Sequence, residues 1–431
     1  MQGKRRTLRL VVVFLLSAIS IPISQAAITG GARCTKLGQV VTSGGKKFTC
    51  VKSGKVLVWN KGVVEVKPTP SPIRPTPSVS PSVQPSPSAT PSPTPSISEK
   101  PTPSKSPVPM SLEIKKVDDL VAGKLENVKA PDAKVIFEVG PGKQSAELAE
   151  IARDAVDGSL RLATVLGIEI TKPIKVYVGE RDWLTPRMPA GSWCADPLIG
   201  VPGPASAGFC GLDSGVLFLS VSGYLEEGNR KVARDFTRNP DRLLISFSFA
   251  HEIIHWLQGE ATTKYAKLKG LYNPYWLNEG GANLAATIVQ AYLNRTSYSE
   301  MRTYLTSYSS CIQSVMNLRV TDYITNVGQQ NICGAYYFGF LWSEYLVSKT
   351  GDLNALLNLA KQQPKVDSEV TWDPNNVQKY NEDRLVVSLK YQYGLAFESF
   401  VSGAEEYSRT STTELRSWLS NNANYWSQPR P

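Results

Sequence analysis

Apolar side chains recur at helical spacing along much of residues 111–431. Between 145 and 167, for example, Leu148, Ile151 and Ala155 fall on one helix face. Shorter apolar runs at 173–179 and 215–221 predict strands. Because the strand signals come early and the helical signals late, we expect an α+β domain with a mixed-sheet N-lobe and a helical C-lobe. The remaining helices are predicted at roughly 241–259, 276–293, 297–307, 335–348, 352–362 and 394–408.

The first residues show another pattern, in which a basic start is followed by the apolar run 10–21. Small residues at Ser24 and Ala26 complete the features of a secretory signal peptide over 1–26. An uncleaved N-terminal anchor fits the same pattern. No later segment is long enough to cross a membrane, so we expect a secreted or cell-envelope protein.

Because disulfides form in the oxidising environment outside the cytoplasm, we expect the cysteines of an exported chain to be paired. Six cysteines permit fifteen pairings, and pairing between neighbours is the preferred arrangement among them. None has the Cys-x-x-Cys spacing of a thiolate zinc site. The neighbouring pairs are Cys34/Cys50, Cys194/Cys210 and Cys311/Cys333.

Two segments of distinct composition precede the large domain. Residues 32–62 alternate short strand-like runs with turn signals at 44–45 and 53–54, which predicts a small β-meander stapled by its two cysteines. This segment resembles a Cys-bracketed module near the N-terminus of many secreted actinobacterial proteins. Residues 66–109 hold fifteen of the thirty prolines and predict an extended linker. The large domain is accordingly expected over 111–431.

Charge is unevenly divided between these parts. The net charge is +10, but residues 1–109 carry +13 and residues 110–431 carry −3. The large domain therefore lacks the basic character of a nucleic-acid-binding protein. The 32–62 module has seven Lys or Arg and no acid, which suits contact with an anionic cell envelope or a plain solvated surface.

Both histidines of the chain lie in one segment, HEIIH, as His251 and His255 around Glu252. On a helix, positions i and i+4 share a face, so both imidazoles can bind one ion while Glu252 reaches a water on it. The preceding apolar residues indicate a buried helix, in which these groups would be costly without a metal. We therefore predict one Zn²⁺ ion; a surface helix with two chance histidines is the other reading.

A catalytic zinc ion usually has three protein ligands, and no third histidine exists here. A carboxylate or a cysteine must therefore complete the set. The next apolar helix contains the run NEGGA at 278–282, and with HEIIH this resembles the gluzincin metallopeptidases, closest to their peptidase MA-like branch. The resemblance implies His251, His255 and Glu279 as ligands and Glu252 as the general base. A carboxylate near a helix N-terminus is the alternative for Glu279.

The resemblance further implies an oxyanion donor in the segment AYYFG at 335–339. Tyr336, with Gly339 three residues later, matches the family pattern, and Tyr337 is the alternative in register. The alternative interpretation is that this tyrosine is an aromatic residue of the core. Asn283 stands where some members have an aspartate directed at the first histidine, and the change to asparagine would leave His251 less polarised.

The run at 215–221 is a candidate for the sheet edge on which an extended peptide would lie, or an ordinary internal strand. The loop between Cys194 and Cys210 would then overhang the cleft. The G-x-M-E-N segment of aminopeptidases in this clan is absent, which argues against an amino-exopeptidase.

Together these features predict a secreted zinc metallopeptidase that cleaves a peptide or protein substrate with metal-activated water. One alternative is a non-catalytic envelope-binding protein on a zinc-peptidase fold. Another is a zinc amidase acting on cell-wall stem peptides. The intact Glu252 favours an enzyme, because a purely structural site has no need of that residue.

Overall fold

A computed structural model describes two compact units of the chain. The signal segment, nearly all of the linker and Cys34 lie outside the described residues. Among those residues, no helix is both long enough and apolar enough to span a membrane. The described residues are 40–43, 46–53, 56–60, 63–64, 109–227, 230–263, 274–313, 318–324, 332–356, 363–371, 373 and 376–422.

The smaller unit is built from antiparallel strands. β2 pairs with β1 on one side and with β3 on the other, in the chain order of a meander, and β4 also pairs with β2. Phe48, Cys50 and Trp59 form its small core, and Cys50 is disulfide-bonded. The four strands are β1 (Val40–Ser43), β2 (Lys46–Ser53), β3 (Val56–Trp59) and β4 (Val63–Val64).

The larger unit is α+β with mostly helical content. Its strands are β5 (Val135–Val139), β6 (Ile174–Gly179), β7 (Ala207–Phe209), β8 (Val216–Ser220), β9 (Glu226–Glu227) and β10 (Arg230–Lys231). Its helices are α1 (Leu112–Val121), α2 (Lys143–Val165), α3 (Arg181–Leu184), α4 (Val221–Leu225), α5 (Asp241–Thr263), α6 (Tyr275–Leu293), α7 (Tyr298–Ser307), α8 (Gly339–Thr350), α9 (Gln363–Glu369), α10 (Val377–Tyr393) and α11 (Phe397–Asn421). Short 3₁₀ helices lie at Thr185–Arg187, Trp193–Ala195, Ser310–Gln313, Val320–Tyr323 and Leu353–Leu356, and a π-helical turn at Gly334–Phe338.

The main sheet is mixed and has the order β5-β6-β8-β7. β5, β6 and β8 are parallel, whereas β7 is antiparallel to β8. All five residues of β8 are buried, as expected for a continuous apolar run between two neighbours. The run at 215–221 is therefore an internal strand and not the sheet edge. One edge of the sheet is β7, a three-residue strand in the segment predicted as a loop, and the other edge is β5.

Helix α6 lies at the centre of the helical part, in contact with α2, α5 and α8. It is buried on nearly all sides, which explains its almost uninterrupted apolar sequence. Two disulfides, Cys194–Cys210 and Cys311–Cys333, join the cysteines that were expected to pair. The first closes the loop that contains β7, and the second ends just before the π-helical turn.

Several element boundaries differ from the sequence predictions. The helix expected at 335–348 is divided into the π-helical turn Gly334–Phe338 and α8. In the segment 352–362 the structure describes only a 3₁₀ helix, Leu353–Leu356, and 357–362 lie outside the described residues. The last helix begins at Phe397 and runs to Asn421, later and longer than 394–408. Helices α1, α3, α4, α9 and α10 and strand β5 were not predicted.

Candidate metal centre

Helix α5 carries both histidines into the protein interior. Its apolar faces pack against α2 and α6, so that His251 and His255 are only 4% and 8% exposed. The helical spacing places the two rings one turn apart, as the sequence predicts. Their Nε2 atoms face each other at 2.9 Å.

The carboxylate of Glu279 approaches the same point from α6. Its Oε2 atom lies 3.4 Å from His251 Nε2 and 3.3 Å from His255 Nε2. Glu279 is 1% exposed, and Oε2 has no hydrogen-bond partner. Among the described residues, this is the group of histidine, cysteine and acidic side chains whose ligand atoms are placed to hold a metal ion.

The hydrogen bonds of His251 determine which ring nitrogen carries its proton. Nδ1 lies 2.8 Å from Oδ1 of Asn283, and Nδ2 of that asparagine donates to the carbonyl oxygen of Tyr336 at 2.9 Å. Because the amide nitrogen faces a carbonyl, the amide oxygen faces the ring and accepts from Nδ1–H. The Nε2 atom of neutral His251 is therefore a bare lone pair.

His255 is held in the same way by a different amide. Its Nδ1 lies 2.9 Å from Oε1 of Gln258, whose Nε2 donates to the carbonyl oxygen of Asn278 at 3.0 Å. With both rings in this tautomer, two nitrogen lone pairs and a carboxylate oxygen meet without a proton donor between them. A bound cation satisfies such a group, since histidine nitrogens and carboxylate oxygens are metal ligands.

The electrostatics of the metal-free centre lead to the same conclusion. Burial by itself would lower the pKa of His255, but the adjacent Glu279 carboxylate outweighs this and raises that pKa to about 9. Burial would raise the pKa of Glu279, and the two histidines instead lower it. Without a metal, the centre therefore retains a proton that a cation can replace.

Glu252 lies beside the ligands and is anchored by the sheet edge. Its Oε2 atom accepts a hydrogen bond from the backbone N–H of Phe209 in β7 at 3.0 Å. Phe209 directly precedes Cys210, whose disulfide to Cys194 closes the β7 loop. The loop predicted to overhang the cleft therefore contacts the predicted general base through its backbone.

The π-helical turn places Tyr336 against the centre. The Tyr336 and His251 rings are stacked at 5.8 Å with an interplanar angle of 26°. Desolvation and the Glu279 carboxylate raise the pKa of the Tyr336 hydroxyl well above its usual range. Tyr337 points elsewhere, because its hydroxyl lies 3.3 Å from Thr412 in α11. Of the two registers, Tyr336 is the one that faces the metal centre.

Two glycines explain how these segments come so close. A Cβ atom at Gly280, the residue after Glu279, would lie 1.9 Å from the backbone carbon of Gly339. A Cβ atom at Gly339 would in turn lie 2.6 Å from the carbonyl oxygen of Trp276. The glycines of the NEGGA and AYYFG segments thus allow α6 and α8 to meet backbone to backbone.

Three contributors to the centre were missed at the sequence level. Gln258 lies three residues after His255 on the same helix, a spacing that could have indicated the contact. Tyr275 lies one turn before Glu279, and burial together with that carboxylate raises its pKa above the usual range. The backbone of Phe209 gave no sequence signal, because any residue supplies an N–H group.

Comparison of the chain with protein-family models, with curated proteins and with solved structures found no match.

Proposed function

We propose that this protein is a secreted zinc metallopeptidase with a two-lobed, gluzincin-like catalytic domain. The observation that carries the proposal is the meeting of three buried acceptors, His251 Nε2, His255 Nε2 and Glu279 Oε2, beside the carboxylate of Glu252. Two imidazoles and one carboxylate form the ligand set of many catalytic zinc sites, which leave a position open for water.

The ligand distances support zinc as the ion. For metal–ligand bonds of about 2.05 Å in tetrahedral geometry, neighbouring ligand atoms lie about 3.3 Å apart. The two distances from Glu279 Oε2, 3.4 and 3.3 Å, agree with this value. The separation between the two Nε2 atoms, 2.9 Å, is somewhat shorter. When bound, zinc supplies Lewis acidity, which makes a water molecule a stronger acid and polarises a carbonyl.

Glu252 is proposed to move the proton. A general base must lie within hydrogen-bond reach of the water and must be held in position. The Phe209 N–H group occupies Oε2 and fixes the carboxylate, so Oε1 is proposed to accept the proton and to pass it to the leaving amine. A purely structural metal site would gain nothing from a carboxylate anchored beside its ligands.

Tyr336 is proposed to stabilise the negative charge that develops on the carbonyl oxygen. A tyrosine hydroxyl is protonated at neutral pH, as a hydrogen-bond donor must be. Tyr336 is half-buried and its ring is stacked on His251, which places the residue beside the ion that it is proposed to assist. This role stays with Tyr336 and not with Tyr337.

The substrate is proposed to be an extended peptide. Of the two edge strands of the main sheet, β7 contacts Glu252, so a strand added along β7 would bring a peptide bond to the centre. The two disulfides fit an oxidising, extracytoplasmic location. Peptides exposed at the cell envelope are therefore the proposed substrate class, with the basic 32–62 module as the proposed envelope contact.

The test measures zinc content and peptide cleavage for the full secreted chain and for Glu252→Gln. Glu260→Gln is the matched control, because Glu260 is a second buried glutamate on α5 that accepts hydrogen bonds from Thr171 away from the centre. We expect one zinc ion per chain in all three proteins. Loss of the base should lower kcat about 10²- to 10⁴-fold in Glu252→Gln, whereas the control keeps its activity.

Cleavage is measured on a mixed peptide library and, in parallel, on cell-wall stem peptides. Turnover restricted to the stem peptides would identify a zinc amidase instead. Stoichiometric zinc without cleavage of either substrate by the wild-type protein would refute the enzyme proposal and leave a non-catalytic, envelope-binding protein.

A further inference from the structure

We propose that Asn283 is a positioning residue that ties the metal ligand His251 to the segment carrying Tyr336. The catalytic role of Tyr336 rests on the proposed function, whereas the link between His251 and the Tyr336 segment rests on two hydrogen bonds. Asn283 accepts from His251 at 2.8 Å with one amide atom and donates to the Tyr336 carbonyl at 2.9 Å with the other. Metal binding and the position of Tyr336 are thereby coupled through one side chain.

The chemistry of the bridge requires an amide. An ionised carboxylate accepts hydrogen bonds but donates none, so an aspartate could orient His251 but would repel the carbonyl of Tyr336. Asparagine does both because its two polar ends differ. Compared with an aspartate at this position, Asn283 lacks a negative charge beside His251. It gains a hydrogen bond to the Tyr336 carbonyl, which an aspartate cannot make.

The segment that Asn283 contacts, Gly334–Phe338, has an unusual backbone conformation. Gly334–Phe338 forms a π-helical turn, a less regular conformation that is often found at functional sites. The Cys311–Cys333 disulfide fixes the residue before the turn, and the close contact of Gly339 with α6 fixes the residue after it. Asn283 holds a carbonyl between these two points, so it determines the position of the turn itself.

Gln258 provides an internal control for this inference. It bridges the other histidine, His255, to a backbone carbonyl in the same manner. That carbonyl belongs to Asn278 on α6 and not to the π-helical turn. A carboxylate at 258 adds the same charge near the metal without touching the segment of Tyr336.

The experiment compares Asn283→Asp with Gln258→Glu in the zinc-loaded full chain by hydrogen–deuterium exchange. We expect both variants to bind one zinc ion, because a carboxylate still accepts from the histidine. Loss of the partly buried hydrogen bond to the Tyr336 carbonyl should speed amide exchange about tenfold across 334–341 in Asn283→Asp. Gln258→Glu should leave that segment at the wild-type rate.

Kinetics supply a second readout where the protein is active. Asn283→Asp should lower kcat with little change in KM, and adding Tyr336→Phe should cost little more, because both changes remove the same contribution. Full additivity of the two losses would contradict the coupling. Should the enzyme proposal fail, the exchange experiment still tests the bridge by itself.

Asn283→Ala covers the case in which the aspartate variant does not fold. It removes both ends of the bridge, so exchange across 334–341 should accelerate and zinc affinity should fall about 10- to 100-fold. Wild-type exchange in that segment for either Asn283 variant, or equal acceleration in Gln258→Glu, would overturn the proposal.

Discussion

The larger unit contains two buried polar clusters that differ in their donor–acceptor balance. In the first, Arg302, Glu344, Tyr298 and Tyr407 join α7, α8 and α11. Arg302 contacts Glu344 at 2.8 Å, and the two tyrosine hydroxyls donate to the same carboxylate at 2.5 and 2.6 Å. Charge and hydrogen bonds are matched within this Arg302 cluster, so it needs no further component.

The metal centre, in contrast, has an excess of acceptors. When both histidines are neutral, they use their proton-bearing nitrogens on amide side chains, and their remaining lone pairs face Glu279 Oε2. Both clusters are almost fully buried, so burial does not distinguish a structural group from a functional one. What distinguishes them is whether the donors present satisfy the acceptors present. Without a metal a retained proton offsets this excess, and a bound cation can replace that proton.

Removing the acid of the Arg302 cluster should have the largest effect on stability. Glu344→Gln leaves the Arg302 guanidinium buried and uncompensated, and breaking such a pair costs about 3–5 kcal/mol of unfolding free energy. Zinc content per folded molecule should not change, because the centre is a separate group. Chemical denaturation combined with metal analysis checks both points, and an unchanged transition midpoint would contradict the importance of the pair.

Removing the metal should have the next largest effect. Zinc at 100 times its dissociation constant stabilises the folded state by about 2.7 kcal/mol, and a chelator should abolish that increment. Thermal unfolding with and without chelator measures it. The Glu279→Ala variant serves as control and should show no chelator effect, while Glu344→Gln should show the full one. A chelator effect that survives in Glu279→Ala would place the metal elsewhere.

The metal centre was more accessible to sequence analysis than the Arg302 cluster, for a physical reason. His251 and His255 lie on one helix, whose geometry fixes their relation. Glu279 lies in the second turn of the next long helix, α6, and was expected from the resemblance and not from geometry. Arg302 and Glu344 are 42 positions apart and meet only through the packing of separate helices. No local periodicity predicts such a contact.

The errors in secondary structure have similarly local causes. β7 has three residues and a central glycine, so it shows no alternation. Helix α10 lacks a clear apolar stripe and was missed. The π-helical turn changes the register of the side chains within an apparently continuous helix. The position of Tyr336 therefore followed from the resemblance and not from periodicity.

The stability of the metal-free protein should depend on pH through the metal centre and not through the Arg302 cluster. Because the pKa of His255 is raised to about 9, its contribution to stability is complete below pH 6.5 and is lost as the pH rises towards 9. Between pH 6.5 and pH 9 the free energy of unfolding should fall by about 2 to 3 kcal/mol. Zinc binding should tighten over the same interval, since the metal displaces the proton.

The Arg302 cluster should not respond in this interval. Burial would lower the pKa of Arg302, but Glu344 raises it well above its usual range; burial and the same carboxylate raise that of Tyr407. The cost of Glu344→Gln should therefore be constant from pH 6.5 to 9. Denaturation of chelated protein at several pH values tests this, and stability that rises with pH would contradict the assignment for His255.

Substituting one tyrosine in each cluster should have the smallest effect on stability and should distinguish a structural tyrosine from a catalytic one. Tyr407→Phe removes one hydrogen bond to the buried Glu344 carboxylate and should cost about 1.5 kcal/mol of stability without changing peptide cleavage. Tyr336→Phe removes the hydroxyl of a half-buried residue at the metal centre and should lower kcat about 10²-fold while the unfolding midpoint stays constant. If both variants lost stability equally and neither lost activity, the tyrosine of the metal centre would be structural. The two clusters would then differ only in whether they bind a metal ion.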